Sequence, residues 1–178
     1  MSPAVAALFT YLATLAVQRA LELVISARHQ RQLAARGARE FGRNHFPLIV
    51  AAHALYPLAL AYEVLALDAR PPHAWPAWFA IWLAAQALKL WAILTLGPFW
   101  NVRVWVLPGA APVRRGPYRC IPHPNYLAIA IELVAAPMMF GAWRTAFLMT
   151  ALNAVLMAIR IPVEQRALHS ATPTKQHP

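Results

Sequence analysis

Long apolar runs separated by short polar segments dominate the chain. A helix that crosses a bilayer needs about 20 mostly apolar residues, so the length of these runs indicates transmembrane helices. The predicted spans are Pro3–Ile25, Phe46–Leu67, Trp75–Leu96, Tyr126–Phe140 and Trp143–Ile161. The fourth is short for a full span, and we expect it to tilt little or to end inside the membrane.

The composition agrees with this pattern. Of 178 residues, 60% are apolar and 12% are charged, whereas soluble domains average about 45–50% and about 25%. The length suits one domain. The sequence therefore predicts an all-α, integral-membrane bundle of about five transmembrane helices in residues 1–168, followed by a polar, flexible tail at 169–178.

The arginines predict the orientation of the bundle. They are concentrated between spans one and two, between spans three and four, and after span five, whereas the other two connections carry only Arg70 and Arg144. By the positive-inside rule, the N-terminus is outside and the C-terminus is in the cytosol. Most of the net charge of +10 is explained in this way, without a nucleic-acid partner. The basic segment between spans one and two also suits anionic lipid headgroups.

Several polar side chains interrupt the apolar runs. Arg19 and Glu22 are three residues apart on the first helix and can pair. Four other residues are costly in hydrocarbon, so each should face protein or water: Glu63, Lys89, Glu132 and Asn153. Glu132 follows the most polar loop by one to two turns, and it is either a partnered structural carboxyl or a group that contacts substrate. Lys89 either pairs or extends toward the interface.

The loop from Gly97 to Asn125 is the most polar region, and its six prolines exclude a long helix there. Pro124 suits the first position of the fourth helix, which places His123 near the N-cap, where free amides favour an anionic group. Arg160 and Glu164 are four residues apart, with Pro162 between them expected to kink or end the helix. A hairpin at Phe140–Gly141 would bring both close to His123.

Several familiar sites are absent from the sequence. There is no dinucleotide-binding glycine motif, no P-loop, no nucleophile elbow and no H-E-x-x-H zinc motif. The seven histidines lack metal-ligand spacing, so we expect no bound metal. The single cysteine, Cys120, excludes an intrachain disulfide and a cysteine-based zinc site.

Three short segments together resemble the isoprenylcysteine carboxyl methyltransferase family. They are Gly116-Pro117-Tyr118, then His123-Pro124-Asn125-Tyr126, and then Arg160 followed by Glu164. The resemblance covers roughly residues 100–168. Within the family, the sequence is most similar to the bacterial branch that O-methylates alkylpyrones and phenolic lipids.

The resemblance implies a membrane enzyme that binds S-adenosylmethionine in a cytosolic pocket, with a catalytic half at about residues 97–168. It implies that Arg160 faces the substrate. The implied cofactor-binding residues are Pro112, Val113, Tyr118, His123, Pro124, Asn125, Tyr126 and Glu164. Glu132 is a candidate base for a phenolic acceptor, since burial would raise the pKa of its carboxyl.

Two departures from the family pattern concern the pocket. Pro122 stands where the family usually has an arginine, which removes a positive charge. Gln165 follows Glu164 where the family often has a second acidic residue. The resemblance implies that the methyl acceptor is a lipophilic or prenylated molecule in the membrane, with either a carboxylate or a hydroxyl as the acceptor group. Two other functions remain as alternatives to a methyltransferase. They are an NADPH-dependent membrane reductase of the sterol-reductase kind and a non-enzymatic transport or assembly protein. The oligomeric state is left open.

Overall fold

The computed structural model describes residues 2–171 and consists almost entirely of helices. The long helices are α1 (Pro3–Ala35), α2 (Phe46–Ala66), α3 (Trp75–Leu96), α4 (Pro124–Met139) and α5 (Trp143–Ala171). Short 3-10 turns lie at Arg43–His45, Gly97–Phe99 and Gly116–Arg119. Four of the helical segments in the described part of the chain are long and apolar enough to cross a membrane, and α4 is a shorter apolar helix.

The protein is an integral-membrane helical bundle, as the apolar runs predict. Large apolar side chains cover the outer faces of the helices, including Leu58, Leu94 and Phe147 at 67%, 69% and 74% exposure. Such a surface is unfavourable in water and suits lipid, because the acyl chains are as apolar as the side chains. With 16 residues, α4 is about 24 Å long, which confirms that it is short for a full span.

Two helix ends differ from the prediction. The first helix does not end near Ile25 but continues to Ala35, so Arg28 and Arg31 lie on the helix and not in a loop. Of the two outcomes expected at Pro162, a kink or the end of the last helix, the end is wrong, because α5 runs through this residue to Ala171. The first three residues of the expected tail are therefore helical. The remainder, 172–178, lies outside the described residues.

A small sheet joins two connections at one end of the bundle. Strand β1 (Arg39–Phe41) pairs antiparallel with β2 (Val104–Val106), with Glu40 opposite Trp105. Ala167, on the last turns of α5, packs against the inward side chains of β2. The arginine-rich α1–α2 and α3–α4 connections therefore lie at the same end of the bundle, together with the end of α5.

Glu63, which interrupts the second apolar run, has hydrogen-bond partners within the protein. At the other end of the bundle, the Glu63 carboxylate accepts hydrogen bonds from the backbone amides of Arg144 and Thr145 and from the Thr145 hydroxyl. This contact caps the first turn of α5 with a side chain from α2 and satisfies amides that a helix start leaves free. Glu63 is 2% exposed, and these three hydrogen bonds compensate its buried charge within the protein.

An ion cluster joins α1, α3 and α4 in the interior of the bundle. Lys89 Nζ lies 2.8 Å from Glu132 Oε2 and 3.3 Å from Glu22 Oε1. Arg19 contacts Glu22 at 2.7 Å, as the three-residue spacing predicts, and Glu132 at 3.3 Å. Two cations and two anions cancel in this cluster, which lowers the cost of placing them in an apolar medium.

Candidate functional site

A cavity of about 210 Å³ lies at the end of the bundle that holds the sheet. Its wall combines the 97–125 loop, β2, the first turns of α4 and the last turns of α5. The sequence-predicted residues in this wall are Pro112, Val113, Tyr118, His123, Asn125, Tyr126, Arg160 and Glu164. The hairpin of α4 and α5 thus brings His123, Arg160 and Glu164 to one cavity, although they are far apart in the sequence.

The first segment of the pattern, Gly116-Pro117-Tyr118, forms a 3-10 turn against α3. Gly116 has φ +54°, and a Cβ atom there would lie 2.6 Å from the Thr95 hydroxyl, so both the conformation and the close approach favour glycine. The buried Pro117 fixes the turn, and half-buried Tyr118 reaches the cavity wall. Burial raises the pKa of the Tyr118 hydroxyl, and the nearby charge of Glu164 raises it further.

His123 is the N-cap residue of α4, and Pro124 occupies the first helical position, which confirms the helix start expected from the sequence. The His123 side chain makes no capping hydrogen bond. Its ring instead stacks on the Tyr126 ring, with the centroids 5.2 Å apart and the planes 12° from parallel. Pro124 is buried and is not part of the cavity wall, so its contribution is to fix the start of the helix.

Tyr126 links Arg160 to Glu164 through its hydroxyl. Arg160 Nε donates to the hydroxyl oxygen at 2.8 Å, and the hydroxyl donates to Glu164 Oε2. A second guanidinium nitrogen, Arg160 Nη2, donates to the Val102 carbonyl at 2.7 Å. Because the tyrosine hydroxyl lies between them, the two charged side chains are held in fixed positions without a direct ion pair.

Arg160 is 5% exposed, yet the ion pairs of residues 2–171 do not include it. A buried guanidinium without a carboxylate partner is costly, and it attracts an anionic group that enters the cavity. The guanidinium also lies 5.5 Å from the centre of the Tyr126 ring, within cation–π range.

Four buried polar atoms of wall residues have no hydrogen-bond partner within the described part of the chain. They are Trp100 Nε1, Asn101 Nδ2, Trp105 Nε1 and Asn125 Oδ1. Since buried polar groups are almost always paired, this cluster indicates a cavity suited to a polar ligand. Asn101 and Trp105 are wall residues that the sequence does not single out, because their positions depend on the course of a loop.

Residues of α1 hold the cavity wall from outside. Ser26 Oγ lies 2.5 Å from Asn101 Oδ1 and accepts from the Val102 amide at 3.2 Å. Gln30 Nε2 donates to Asn101 Oδ1 at 2.9 Å, and His29 Nδ1 donates to the Trp100 carbonyl at 2.8 Å. The signal in the sequence is a polar stripe on one helix, since His29 and Gln30 follow Ser26 by three and four residues.

The sheet also supports this wall. The Glu40 carboxylate accepts hydrogen bonds from the guanidinium groups of Arg43 at 2.7 Å and Arg103 at 2.8 Å. Desolvation raises the pKa of this carboxyl, but the two arginines outweigh it, so the net shift of the Glu40 pKa is downward. Arg103 is a wall residue and is therefore fixed by β1.

The structure places Glu132 outside this cavity. It is 1% exposed and belongs to the ion cluster with Lys89 and Arg19. The sequence allows two interpretations of Glu132, a partnered structural carboxyl or a group that contacts substrate. This geometry corresponds to the partnered structural carboxyl. Among residues 2–171, no three histidine, cysteine, aspartate or glutamate side chains are grouped so that they could hold a metal ion.

The chain belongs to the isoprenylcysteine carboxyl methyltransferase family, whose sequence model matches residues 78–170, and it is a membrane methyltransferase. The match runs from α3 through α5 and contains the cavity motifs. The chain is 37% identical to the "Uncharacterized protein YpbQ" of Bacillus subtilis (strain 168) over 157 residues, 88% of this chain and 94% of the relative. It is 28% identical to an "Uncharacterized protein" of Haemophilus influenzae over 165 residues, 92% of this chain and 95% of the relative. No solved structure matches.

Proposed function

We propose that the protein is an S-adenosylmethionine-dependent O-methyltransferase that acts on a lipophilic acceptor in the membrane. The acceptor group is a carboxylate like that of an isoprenylcysteine, or a hydroxyl of an alkylpyrone or phenolic lipid. The observation that carries the proposal is the position of Arg160. It is a buried cation with no carboxylate partner among residues 2–171, in a cavity with several polar wall residues at the end of a lipid-facing bundle.

The residues of the cavity fit the proposed cofactor. Bound there, S-adenosylmethionine would supply a methyl group on a positively charged sulfur. The carboxylate of Glu164 can accept hydrogen bonds from its ammonium or ribose hydroxyls, and the unpartnered atoms of Asn125 and Trp105 can pair with its other polar groups. The ring faces of Tyr118 and Tyr126 suit a cation.

Arg160 has the position of a substrate-binding residue. A carboxylate acceptor is ionised at neutral pH and needs no base, and the guanidinium can bind it through charge-assisted hydrogen bonds. A phenol has a pKa near 10, so the positive charge of Arg160 would favour its ionised, nucleophilic form. In either case the contribution of the chain would be to hold the acceptor oxygen in position for methyl transfer, with Arg160 as the group that positions it.

Glu132 has no part in this proposed mechanism. A general base must come within hydrogen-bond reach of the proton that it removes. The carboxylate of Glu132 is occupied by Lys89 and Arg19 in the interior of the bundle. We therefore propose that Glu132 stabilises the bundle.

We further propose that the cavity faces the cytosol and that the N-terminus is outside. The two arginine-rich connections lie beside the cavity, where the β1–β2 sheet joins them. The positive-inside rule assigns such an end to the cytosolic face. A donor dissolved in the cytosol and an acceptor dissolved in the membrane would then meet at the inner membrane surface.

The proposal is tested by incubating the purified protein in lipid nanodiscs with methyl-labelled S-adenosylmethionine and three acceptors. These are a farnesylcysteine, an alkylpyrone and a long-chain alkylphenol, and the product is identified by mass spectrometry. We expect a methyl ester or methyl ether from at least one acceptor. We also expect a strong loss with Arg160→Met and little change with Arg166→Met, since Arg166 hydrogen-bonds only its own helix, at Pro162, among residues 2–171. Thermal stabilisation by NADPH, with no labelled product, would favour the reductase alternative.

A further inference from the structure

A second cavity, of about 240 Å³, lies between α1, α2, α4 and α5, and its wall includes the exposed residues Ala16 and His53. Ten of its wall residues are leucine, isoleucine, alanine, methionine or proline, and these suit an apolar chain. Four polar residues also reach this wall: Arg19, His53, Tyr56 and Asn153. We call it the intramembrane cavity.

Two of these polar residues have their hydrogen bonds satisfied by the protein. The Arg19 guanidinium is bound to Glu22 and Glu132 in the ion cluster. The Tyr56 hydroxyl forms a hydrogen bond of 2.7 Å with the hydroxyl of Tyr11. These two side chains therefore need no ligand.

The other two polar residues have unused hydrogen-bonding groups. Asn153 is 9% exposed, and the hydrogen bonds of residues 2–171 do not include its side chain. His53 Nδ1 donates to the Ile49 carbonyl of its own helix at 2.7 Å, which leaves Nε2 as an acceptor. An unpaired amide in the interior of a membrane protein is costly, so its presence in a cavity wall points to a ligand with a polar group.

Two helices, α4 and α5, contribute wall residues both to the intramembrane cavity and to the cavity of the candidate functional site, which we call the site cavity. On α5, Arg160 belongs to the site cavity and Asn153 to the intramembrane cavity. On α4, Tyr126 and Leu133 show the same relationship. In each pair the separation is two helical turns, about 10 Å, so the paired residues lie on the same face of their helix.

We propose that the intramembrane cavity binds the apolar body of the methyl acceptor and that Asn153 hydrogen-bonds a polar group within that body. This inference rests on the proposed function for the identity of the ligand. The acceptor class is then an amphiphile with a hydroxyl, keto or amide group about 10 Å from the oxygen that Arg160 holds. An amide side chain can donate and accept, so each of these groups is a suitable partner.

The test compares two probes that differ by one hydroxyl group. Binding of radiolabelled stearate and 10-hydroxystearate is measured with the full-length protein in nanodiscs, and protein-free nanodiscs provide the background. Each probe has a carboxylate that can bind Arg160. In 10-hydroxystearate the hydroxyl is on the tenth carbon, counted from the carboxylate carbon. We expect the wild type to bind 10-hydroxystearate about fivefold more tightly than stearate, as one net hydrogen bond allows.

Two variants assign this preference to Asn153. Asn153→Leu should bind both probes equally, whereas Thr150→Val should keep the wild-type preference. Thr150 is a matched control, because its hydroxyl is also buried and unpartnered on α5 but is not part of the cavity wall. Equal binding of the two probes by the wild type, or a preference that persists in Asn153→Leu, would overturn the inference.

A third variant keeps the test valid if Asn153→Leu fails to fold. Met157→Trp fills the cavity from its half-buried wall and should weaken both probes severalfold. Unchanged binding would contradict occupation of the cavity. Binding of S-adenosylmethionine, measured on the same samples, separates the two proposals. If the protein does not bind S-adenosylmethionine but still prefers 10-hydroxystearate, the proposed function alone is contradicted. If it binds S-adenosylmethionine but shows no such preference, only this inference is contradicted.

Discussion

Lys89 Nζ lies 2.8 Å from Glu132 Oε2, and 3% and 2% of the two side chains are exposed. This pair joins α3 to α4, and Arg19 and Glu22 extend it to α1. Other contacts of α1 with α3 are the hydrogen bond from Gln18 to Gln86 and the edge-on packing of Tyr11 against Trp82, so the ion cluster is one of several connections between the N-terminal helix and the rest of the bundle. Arg19, Glu22, Lys89 and Glu132 are charged residues within apolar helices, and their ion pairs connect α1, α3 and α4.

Breaking this pair should destabilise the protein more than it affects the cavity. Glu132→Gln or Lys89→Met leaves a buried charge without its main partner, a change that costs about 3–5 kcal/mol in soluble proteins. We expect thermal unfolding in nanodiscs to shift to lower temperature for each single variant, with a smaller shift for the double variant. A stable Glu132→Gln protein that binds S-adenosylmethionine normally but has lost turnover would instead identify Glu132 as a base.

Tyr126→Phe should disturb the site without unfolding the bundle. The substitution removes the hydroxyl that accepts from Arg160 and donates to Glu164, while the ring that stacks on His123 stays. We expect the affinity for S-adenosylmethionine to fall about tenfold, since both charged groups lose a fixed partner. Equilibrium binding of labelled S-adenosylmethionine measures this effect. Wild-type affinity in Tyr126→Phe would show that the hydroxyl does not organise the site.

Ser26→Ala should weaken the site from a helix outside the region that the family model matches. Ser26 contacts Asn101 and the Val102 amide, and Val102 in turn accepts from Arg160. We expect the KM for S-adenosylmethionine to rise severalfold with a small change in Tm. Thr14→Ala is the control, because within the described part of the chain the Thr14 hydroxyl bonds only the Thr10 carbonyl of the same helix. An equal effect of both substitutions would indicate a general loss of helix stability.

Cys120 provides a direct test of orientation, because it is the single cysteine of the sequence and is exposed in the loop before α4. If the cavity faces the cytosol, a membrane-impermeant maleimide should not label Cys120 in intact cells and should label it after permeabilisation. A Cys120→Ser protein shows the background. Labelling in intact cells would place the cavity outside and reverse the proposed orientation.

The sequence predicts the five helices well, because hydrophobic length is a strong signal in a membrane protein. It also predicts the hairpin that brings His123 to Arg160 and Glu164, since a short turn makes α4 and α5 antiparallel. The end of α1 was less predictable. Six of its last ten residues are polar, and this segment contacts the loop around Asn101.

The position of Glu132 could not be derived from local sequence. A buried carboxylate near a polar loop is consistent with a catalytic base and with an ion cluster, and the partner that decides between them, Lys89, is 43 residues away. The contributions of Asn101 and Trp105 to the cavity depend in the same way on the course of the α3–α4 connection and on the pairing of its strand β2 with β1. Such loop positions follow from tertiary packing, which no local periodicity encodes.

The most direct measurement is the binding of S-adenosylmethionine to the purified full-length protein in nanodiscs by isothermal titration calorimetry. Two neighbouring variants form a matched pair: Glu164 accepts from Tyr126 in the cavity wall, whereas Gln165 is exposed and outside it. We predict saturable binding by the wild type, at least a tenfold loss of affinity with Glu164→Gln, and unchanged affinity with Gln165→Ala. No binding by the folded wild type, or equal affinity of the wild type and Glu164→Gln, would contradict the account.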